Sequence, residues 1–511
     1  MAAKIAAAKR IEETERLRRQ VEKLERDLEQ ASKRIAEQQN HIGEQQERIG
    51  KQQEQLAEQQ KLVRKLEREL AESRKNSTNS SKPPSSDGLA GPQRMRGRKP
   101  GAKCKRRAGG QPGHAGHYRK LVEAAKVSQT IEVFPKQCSG CGQEFAASLT
   151  STEAIGEPHR HQVVDVPPIE AWITEYECFK IECPGCGQAT RAAVPAEAQD
   201  QTGPRLTALV AYLTVVCRMP RRVVQRFLGQ AMGISLSVGS TQNCCEQMSE
   251  AVEGPCQELK SQLASEPVLN VDETGWRLSG DKRWIWAFVA NSFTYYVVAA
   301  GRGAEVLVTL LGAVFSGILC SDRYAAYGSY HQGKSQLCWA HLKRNLQAVL
   351  DQGTNWQQEH FARDALALYG RLFRLWWKFQ GGKIDRSQLI ERSQRIRRGF
   401  RKLAARWWDC EYRDVANLAN AVGQHFDRLF CFLDEPGVEP TNNSAERALR
   451  TAVQWRKTSF GNRSAPGALA TARLLTVSQT CARQNRDTLK YLTEAVQLHR
   501  KRLPAPSLCS K

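Results

Sequence analysis

The chain has no apolar stretch approaching the ~20 residues that a membrane-spanning helix needs. Its start, MAAKIAAAKRIEETE, also lacks the apolar run of a secretion signal. These absences argue against a membrane channel or carrier and predict a soluble, cytoplasmic protein. Negative charge is scarce too. The 511 residues hold 76 Lys and Arg against 53 Asp and Glu, a net charge of +23. A field of that sign favours polyanions, nucleic acid above all. From Gly88 through Val122 there is no acidic residue at all. The same stretch carries Arg94, Arg96, Arg98, Lys99, Lys103, Lys105, Arg106, Arg107, Arg119 and Lys120. With its glycines, the segment suits an extended arm along phosphates, against the plainer alternative of a solvated linker.

Disulfides are not expected, although cysteine is plentiful. A large cytosolic chain keeps its 16 cysteines reduced. Cys217, Cys256, Cys320 and Cys431 sit in apolar runs and read as small core residues. Four others fall in Cys138-Ser-Gly-Cys141-Gly and Cys183-Pro-Gly-Cys186-Gly. Two such knuckles supply four thiolates, the ligand set of a closed, structural Zn²⁺ site. The span between them exceeds the usual ribbon spacing, so a β-rich insert, VVDVPPIEAWITEYECFKIEC, belongs to the module. A redox C-x-x-C would be expected singly and near a βαβ pattern.

The order of segments predicts a multidomain α/β protein. Val21, Leu28, Ile35, Ile42, Ile49, Leu56, Val63 and Leu70 recur every seventh residue, with Leu17, Leu24, Ala31 and Leu66 at the alternate seam position. This is a coiled coil over 1–75 that should promote self-association. Gln38, Gln45, Gln52 and Gln59 interrupt the seam, so the middle pairs loosely or serves as a spacer. A Ser/Pro/Gly linker with the basic arm fills 76–124, and the zinc-binding module fills 125–200. Three helices then span 201–260 as a helix-turn-helix, whose last helix would offer Thr241 and Asn243 to the major groove. A plain three-helix scaffold is the alternative.

The runs VLNVDE, RWIWAFVA and YYVVAAG, a short helix AEVLVTLLG and the strand GILCSD follow in β-β-β-α-β order. That is the layout of a ribonuclease-H-like mixed-sheet core, here over 261–475. Alternation places Val268, Asn270 and Asp272 on one face. Asp272 is then expected at the C-terminal end of the first strand and Asp322 at that of the fourth. Glu446, early in a basic helix, can supply a third carboxylate. Such a set suits two Mg²⁺ ions, or Mn²⁺, which activate water or a 3′-hydroxyl and stabilise the leaving oxygen of a phosphodiester. Glu273 falls on the opposite face and is expected to be dispensable. KSQLCWAHLKRNL reads as a fifth strand entering a helix with Arg344. A helical insertion fills about 350–434, and a helical tail fills 476–511. Between Arg371 and Arg406 the insertion has twelve Lys and Arg but only two acids, interleaved with Trp376, Trp377 and Phe400. It can be an amphipathic bundle with snorkelling Arg stems, or a wall of a DNA channel whose Trp stack on unpaired bases.

The motifs DETGW at 272–276, SDRYAAY at 321–327, CWAHLKR at 338–344 and NNSAERALR at 442–450 resemble those of insertion-sequence-66 transposases. So do the N-terminal coil, the GGQPGH segment and the paired knuckles. The resemblance implies a DDE transposase with Asp272, Asp322 and Glu446 as its metal-binding triad, and it is the resemblance that selects Glu446 among several acids. It also implies Lys457 as a basic residue holding DNA near the site, DNA ends and target as partners, and small accessory proteins of the same element. A host nuclease of the same fold, or a zinc/helix-turn-helix DNA-binding regulator, is the alternative.

Overall fold

The computed structural model describes residues 2–80 and 120–509. Arg94, Arg96, Arg98, Lys99, Arg106 and Arg107 lie outside the described residues. The first element is a 72-residue helix, α1 (Ala2–Ser73). A hairpin of β1 (Lys180–Glu182) and β2 (Ala189–Arg191) precedes four helices: α2 (Pro204–Val215), α3 (Arg221–Met232), α4 (Val238–Ala251) and α5 (Glu253–Gln262). Then come β3 (Val268–Leu278), β4 (Asp281–Val289), β5 (Thr294–Ala299), α6 (Ala304–Leu311), β6 (Ile318–Ser321), α7 (Ala325–Tyr330) and β7 (Ser335–Leu337). Helices complete the chain: α8 (Trp339–Gln352), α9 (Trp356–Gln380), α10 (Arg386–Trp407), α11 (Arg413–Gln424), α12 (Phe426–Asp434), α13 (Asn443–Ser459), α14 (Ala465–Arg483) and α15 (Thr488–Arg500). Among the described residues, no helix is long and apolar enough to cross a membrane.

The chain forms two compact units, one from Met1–Pro92 with Trp339–Asp427, the other from Gln93–Cys338 with Arg428–Lys511. In the first unit α1 leaves its seam open to solvent, with Leu28 70% and Ile42 53% exposed. Its end is tied down, because Asn79 Nδ2 donates to Asp351 Oδ2 at 2.9 Å and Arg74 Nη1 to the Asp351 carbonyl at 3.3 Å. Helices α8 to α11 pack around Trp339, Phe361, Leu372, Leu389, Phe400 and Val415. Asp385 opens α10 with a capping box to Gln388, which satisfies two orphan amides of the first turn. Of the insertion's interleaved aromatics, Trp376 and Phe400 are buried and Trp377 is 62% exposed.

The second unit is built on a five-stranded sheet in the order β5-β4-β3-β6-β7. Strands β3, β4 and β5 are antiparallel neighbours, and β6 and β7 run parallel to β3. Ser279 and Gly280, with φ of 53° and 89°, make the two-residue turn between β3 and β4. Positive φ at both positions gives the turn the twist of the flanking strands. This hairpin lets β3 continue to Leu278, so Asp272 lies within the strand instead of at its end. Pairing of β3 with β6 runs only from Val268 to Asn270, so Asp272 stands just beyond the last parallel partner.

Edge strand β5 is closed by α14. Tyr296 N donates to Thr476 Oγ1 at 3.0 Å and Thr294 N to Thr480 Oγ1 at 3.2 Å. Hydroxyls thus take the amides that a free edge would leave unpaired. Helix α13 crosses β3 and β4, and Tyr296 hydroxyl donates to the Ala448 carbonyl at 2.8 Å. Trp276, Trp286, Phe288 and Tyr296 fill the core between these layers. Helices α2 and α4 share that core with α14 and α15, and Arg500 joins them by donating to Gln247 Oε1 at 2.8 Å.

Candidate active site

Asp272 and Asp322 follow equivalent points of two adjacent strands. The pair Asn270↔Cys320 is the last in the β3–β6 register, and each aspartate comes two residues later. The two aspartate segments therefore lie on neighbouring strands. Asp272 Oδ1 accepts from the Glu273 amide at 2.9 Å, and Asp322 Oδ1 accepts from the Tyr324 amide at 2.8 Å. These local bonds fix both side chains at the sheet surface.

Glu446 arrives through Asn442. The buried Asn442 Nδ2 donates to the carbonyl of Val271, the residue before Asp272, at 2.8 Å. Asn442 N donates to Cys338 Sγ at 3.2 Å, and its carbonyl accepts from Glu446 N at 3.2 Å. One asparagine therefore pins the first turn of α13 to β3 and to the residue after β7. A Glu446 carboxylate oxygen lies within 4.8 Å of Cys338 Sγ. The helix N-terminus also favours the negative charge of Glu446.

The electrostatics report the same gathering. Burial pushes the Asp272 carboxyl up to about 8, helped by the charges of Glu273 and Asp322 and, less, by that of Glu446, against the Glu273 amide bond. Like charges this close resist ionising together. A divalent cation removes that resistance, and hard carboxylate oxygens suit Mg²⁺ better than the Cys338 thiol does. The chemistry of the three carboxylates suits such an ion, but among the described residues Asp272, Asp322 and Glu446 are not gathered within 4.8 Å of one another.

Glu273 does face away from Asp272, but it is no bystander. Its side chain is 2% exposed, and Arg302 Nε meets Glu273 Oε1 at 2.7 Å. The Arg302 guanidinium lies over the Tyr324 ring at 3.8 Å and the Trp284 ring at 4.8 Å. Tyr327 hydroxyl donates to the other Glu273 oxygen. Since Tyr324 and Tyr327 follow Asp322 directly, this cluster fastens the Asp322 segment to the back of β3. Glu273 thus has a packing role that the sequence does not announce. The carboxylate's partners are distant in sequence, and alternation alone could not reveal them.

Other expected site residues are placed separately. Thr241 is fully buried and gives its hydroxyl to the Val238 carbonyl at 2.7 Å, so it cannot reach a groove, whereas Asn243 is exposed. The outer face of α4 also carries Glu246 and Glu250, while exposed Arg222 and Arg226 lie on α3, unremarked by motif reading. Lys457 is exposed near the end of α13, and Arg344 is half-buried on α8 in the first unit. Each cysteine knuckle is formed by itself. Gly140 N approaches Cys138 Sγ at 3.4 Å, and amide bonds from Cys141 and Gly140 lower the Cys138 thiol. Amides of Gly185 and Cys186 lower Cys183 in the same way. Among the described residues, the four thiols are not gathered into one cluster.

A profile of the transposase IS66 family matches residues 199–470, more than half of the chain, and a family of unknown function (DUF6444) matches residues 4–120. Two relatives in Sinorhizobium fredii (strain NBRC 101917 / NGR234) are both named as uncharacterized proteins. The chain is 28% identical to y4qI over 242 residues, which cover 42% of this chain and 43% of the relative. It is 26% identical to y4jO over 174 residues, which cover 34% of this chain and 50% of the relative. The chain thus spans half or less of the curated relatives it matches. The family match takes in the helices α2 to α13, both aspartate segments and the first turn of α14, and the chain belongs to the IS66 family of transposases.

Proposed function

We propose that this chain is a DDE transposase that binds the ends of its own DNA element, cleaves them, and joins the 3′-hydroxyls to target DNA. The observation that supports the reading is the β3–β6 register, whose last pair, Asn270↔Cys320, comes two residues before both Asp272 and Asp322, with Asn442 tying the start of α13 to Val271. Three antiparallel strands continued by two parallel ones is also the order of a ribonuclease-H-like core. Asp272, Asp322 and Glu446 are assigned the role of holding two Mg²⁺ ions. When bound, such ions supply Lewis-acid activation of the attacking oxygen and stabilise the leaving one.

The chain's own residues orient the reaction. Asn442 sets the reach of Glu446, the Glu273–Arg302–Tyr327 cluster holds the Asp322 segment, and the basic surface draws in phosphate. The arm of Arg94, Arg96, Arg98, Lys99, Arg106 and Arg107 is assigned to DNA, with Lys457, Asn243 and Arg344. Cys138, Cys141, Cys183 and Cys186 are assigned one structural Zn²⁺. The open seam of α1 is assigned to pairing with a second copy, and deleting 1–75 should lower the mass measured by light scattering.

Asp272→Asn, Asp322→Asn and Glu446→Gln should each lower Mg²⁺-dependent cleavage by about a thousandfold, the several kcal/mol of charge stabilisation that a metal supplies. DNA binding should be kept and the melting temperature should not fall, because the substitutions preserve shape. The assay is cleavage and strand transfer on duplexes carrying the inverted repeats that flank the reading frame. Full activity in all three variants would sink the nuclease reading. Cleavage without joining by the unaltered protein would leave a nuclease that is not a transposase.

A further inference from the structure

At the far end of α13 from Glu446, Phe460 caps the helix in the left-handed conformation, φ 60° and ψ 15°. That region suits Gly and is a genuine outlier for a bulky residue. The Phe460 ring gains no burial from it, since the residue is 82% exposed. Yet the backbone under it is held firmly. Trp276 Nε1 donates to Asn462 Oδ1 at 2.8 Å, Ser279 N to the Asn462 carbonyl at 2.8 Å, and Asn462 N to the Arg277 carbonyl at 2.9 Å. At Gly461 a Cβ would come within 2.4 Å of the Arg277 carbonyl oxygen, so the loop lies flush against the β3–β4 turn. A strained, exposed aromatic on a rigid base is not accounted for by stability, and strain of this kind points towards function.

The surroundings say what the ring would meet. Lys457, Arg463, Arg277 and Lys282 are exposed on the two segments that form this base. The one acid among them, Asp281, is engaged by Arg283 at 3.4 Å. We propose that Phe460 is a stacking wedge that inserts at a destacked or unpaired base of DNA held by these cations. The inference rests on the nucleic-acid reading of the carboxylate site and adds a position to it. The length of α13 separates Phe460 from Glu446 by about 20 Å, at ~1.5 Å per helical residue.

The test uses the full-length protein, a mixed-sequence duplex, and the same duplex carrying a single unpaired adenine. The unaltered protein should bind the second duplex about tenfold more tightly, the scale of one base–aromatic stack. Phe460→Gly should bind both duplexes equally while melting no lower than the unaltered protein, because Gly suits the helix cap. Phe460→Trp should keep the preference. A Phe460→Gly protein that retains the tenfold preference overturns the wedge, as does one that weakens on both duplexes alike. Failure of the unaltered protein to bind either duplex would remove the DNA reading itself, and the wedge with it.

Discussion

The sheet that carries the carboxylates and the segment that carries the cysteine knuckles belong to one unit but are held in opposite ways. Around β3, Trp276, Trp286 and Phe288 are essentially fully buried, and side chains from α13 and α14 bond directly to strand backbone. Between residues 120 and 200, apolar side chains stand in solvent, with Trp172 95%, Ile173 87% and Val163 82% exposed. Regular structure there is limited to the three-residue strands β1 and β2, three single 3₁₀ turns and one isolated bridge. One region is assembled by apolar burial, which needs only the chain. The other has little such burial, and its thiol knuckles are the feature able to gather it. In a closed zinc site the binding free energy is folding free energy.

The largest expected effect would break the comparison outright. With about one Zn²⁺ per chain, chelation or Cys183→Ser should turn the 125–200 segment into a protease-sensitive coil and leave the melting of the sheet unchanged. Limited proteolysis with metal analysis reads both halves. Stoichiometric zinc in a protein lacking all four knuckle cysteines would refute the assignment.

A smaller effect is expected inside the sheet. Glu273→Ala removes the carboxylate from Arg302 and Tyr327 and should cost about 3 kcal/mol, the scale of breaking a buried ion pair. The loss should show in urea unfolding, and activity should fall with it because the Asp322 segment loosens. A stability change within experimental scatter would mean that the cluster is ornamental.

The last effect concerns the electrostatic side. Asp272 titrates at about 8 in the folded chain, against an ordinary 3.8. The folded state therefore holds a proton that the unfolded state gives up, so stability is full below about pH 4 and declines as pH rises through about 8. In EDTA, melting temperature should fall across that window, and Mg²⁺ should suppress the fall. An equal decline with and without Mg²⁺ would mean that the ion does not sit on Asp272.

The strand order was readable because β-branched and aromatic runs alternate with turn residues, and Asp272 and Asp322 follow such runs. The full length of β3 was less plain. Its extension to Leu278 depends on Trp276 turning into the core and on a two-residue turn at Ser279-Gly280. The inward turn of Thr241 could not be read, because α4 is packed by α14 and α15 from the other end of the chain. Asn442 was visible in its motif, but its bond to the Val271 carbonyl joins residues far apart in sequence. Local pattern reveals which residues can form a strand or helix. It does not reveal which distant backbone atom a polar side chain will seek.

The threonines of α14 that close the edge of β5 have a consequence for synthesis. Strands β3 to β7 leave the ribosome well before Thr476 and Thr480, with the whole helical insertion between them. During that interval the nascent sheet carries an open edge and lacks Glu446. A chain released early should therefore be prone to strand-to-strand aggregation. The sheet is therefore protected only once its last helices have been made.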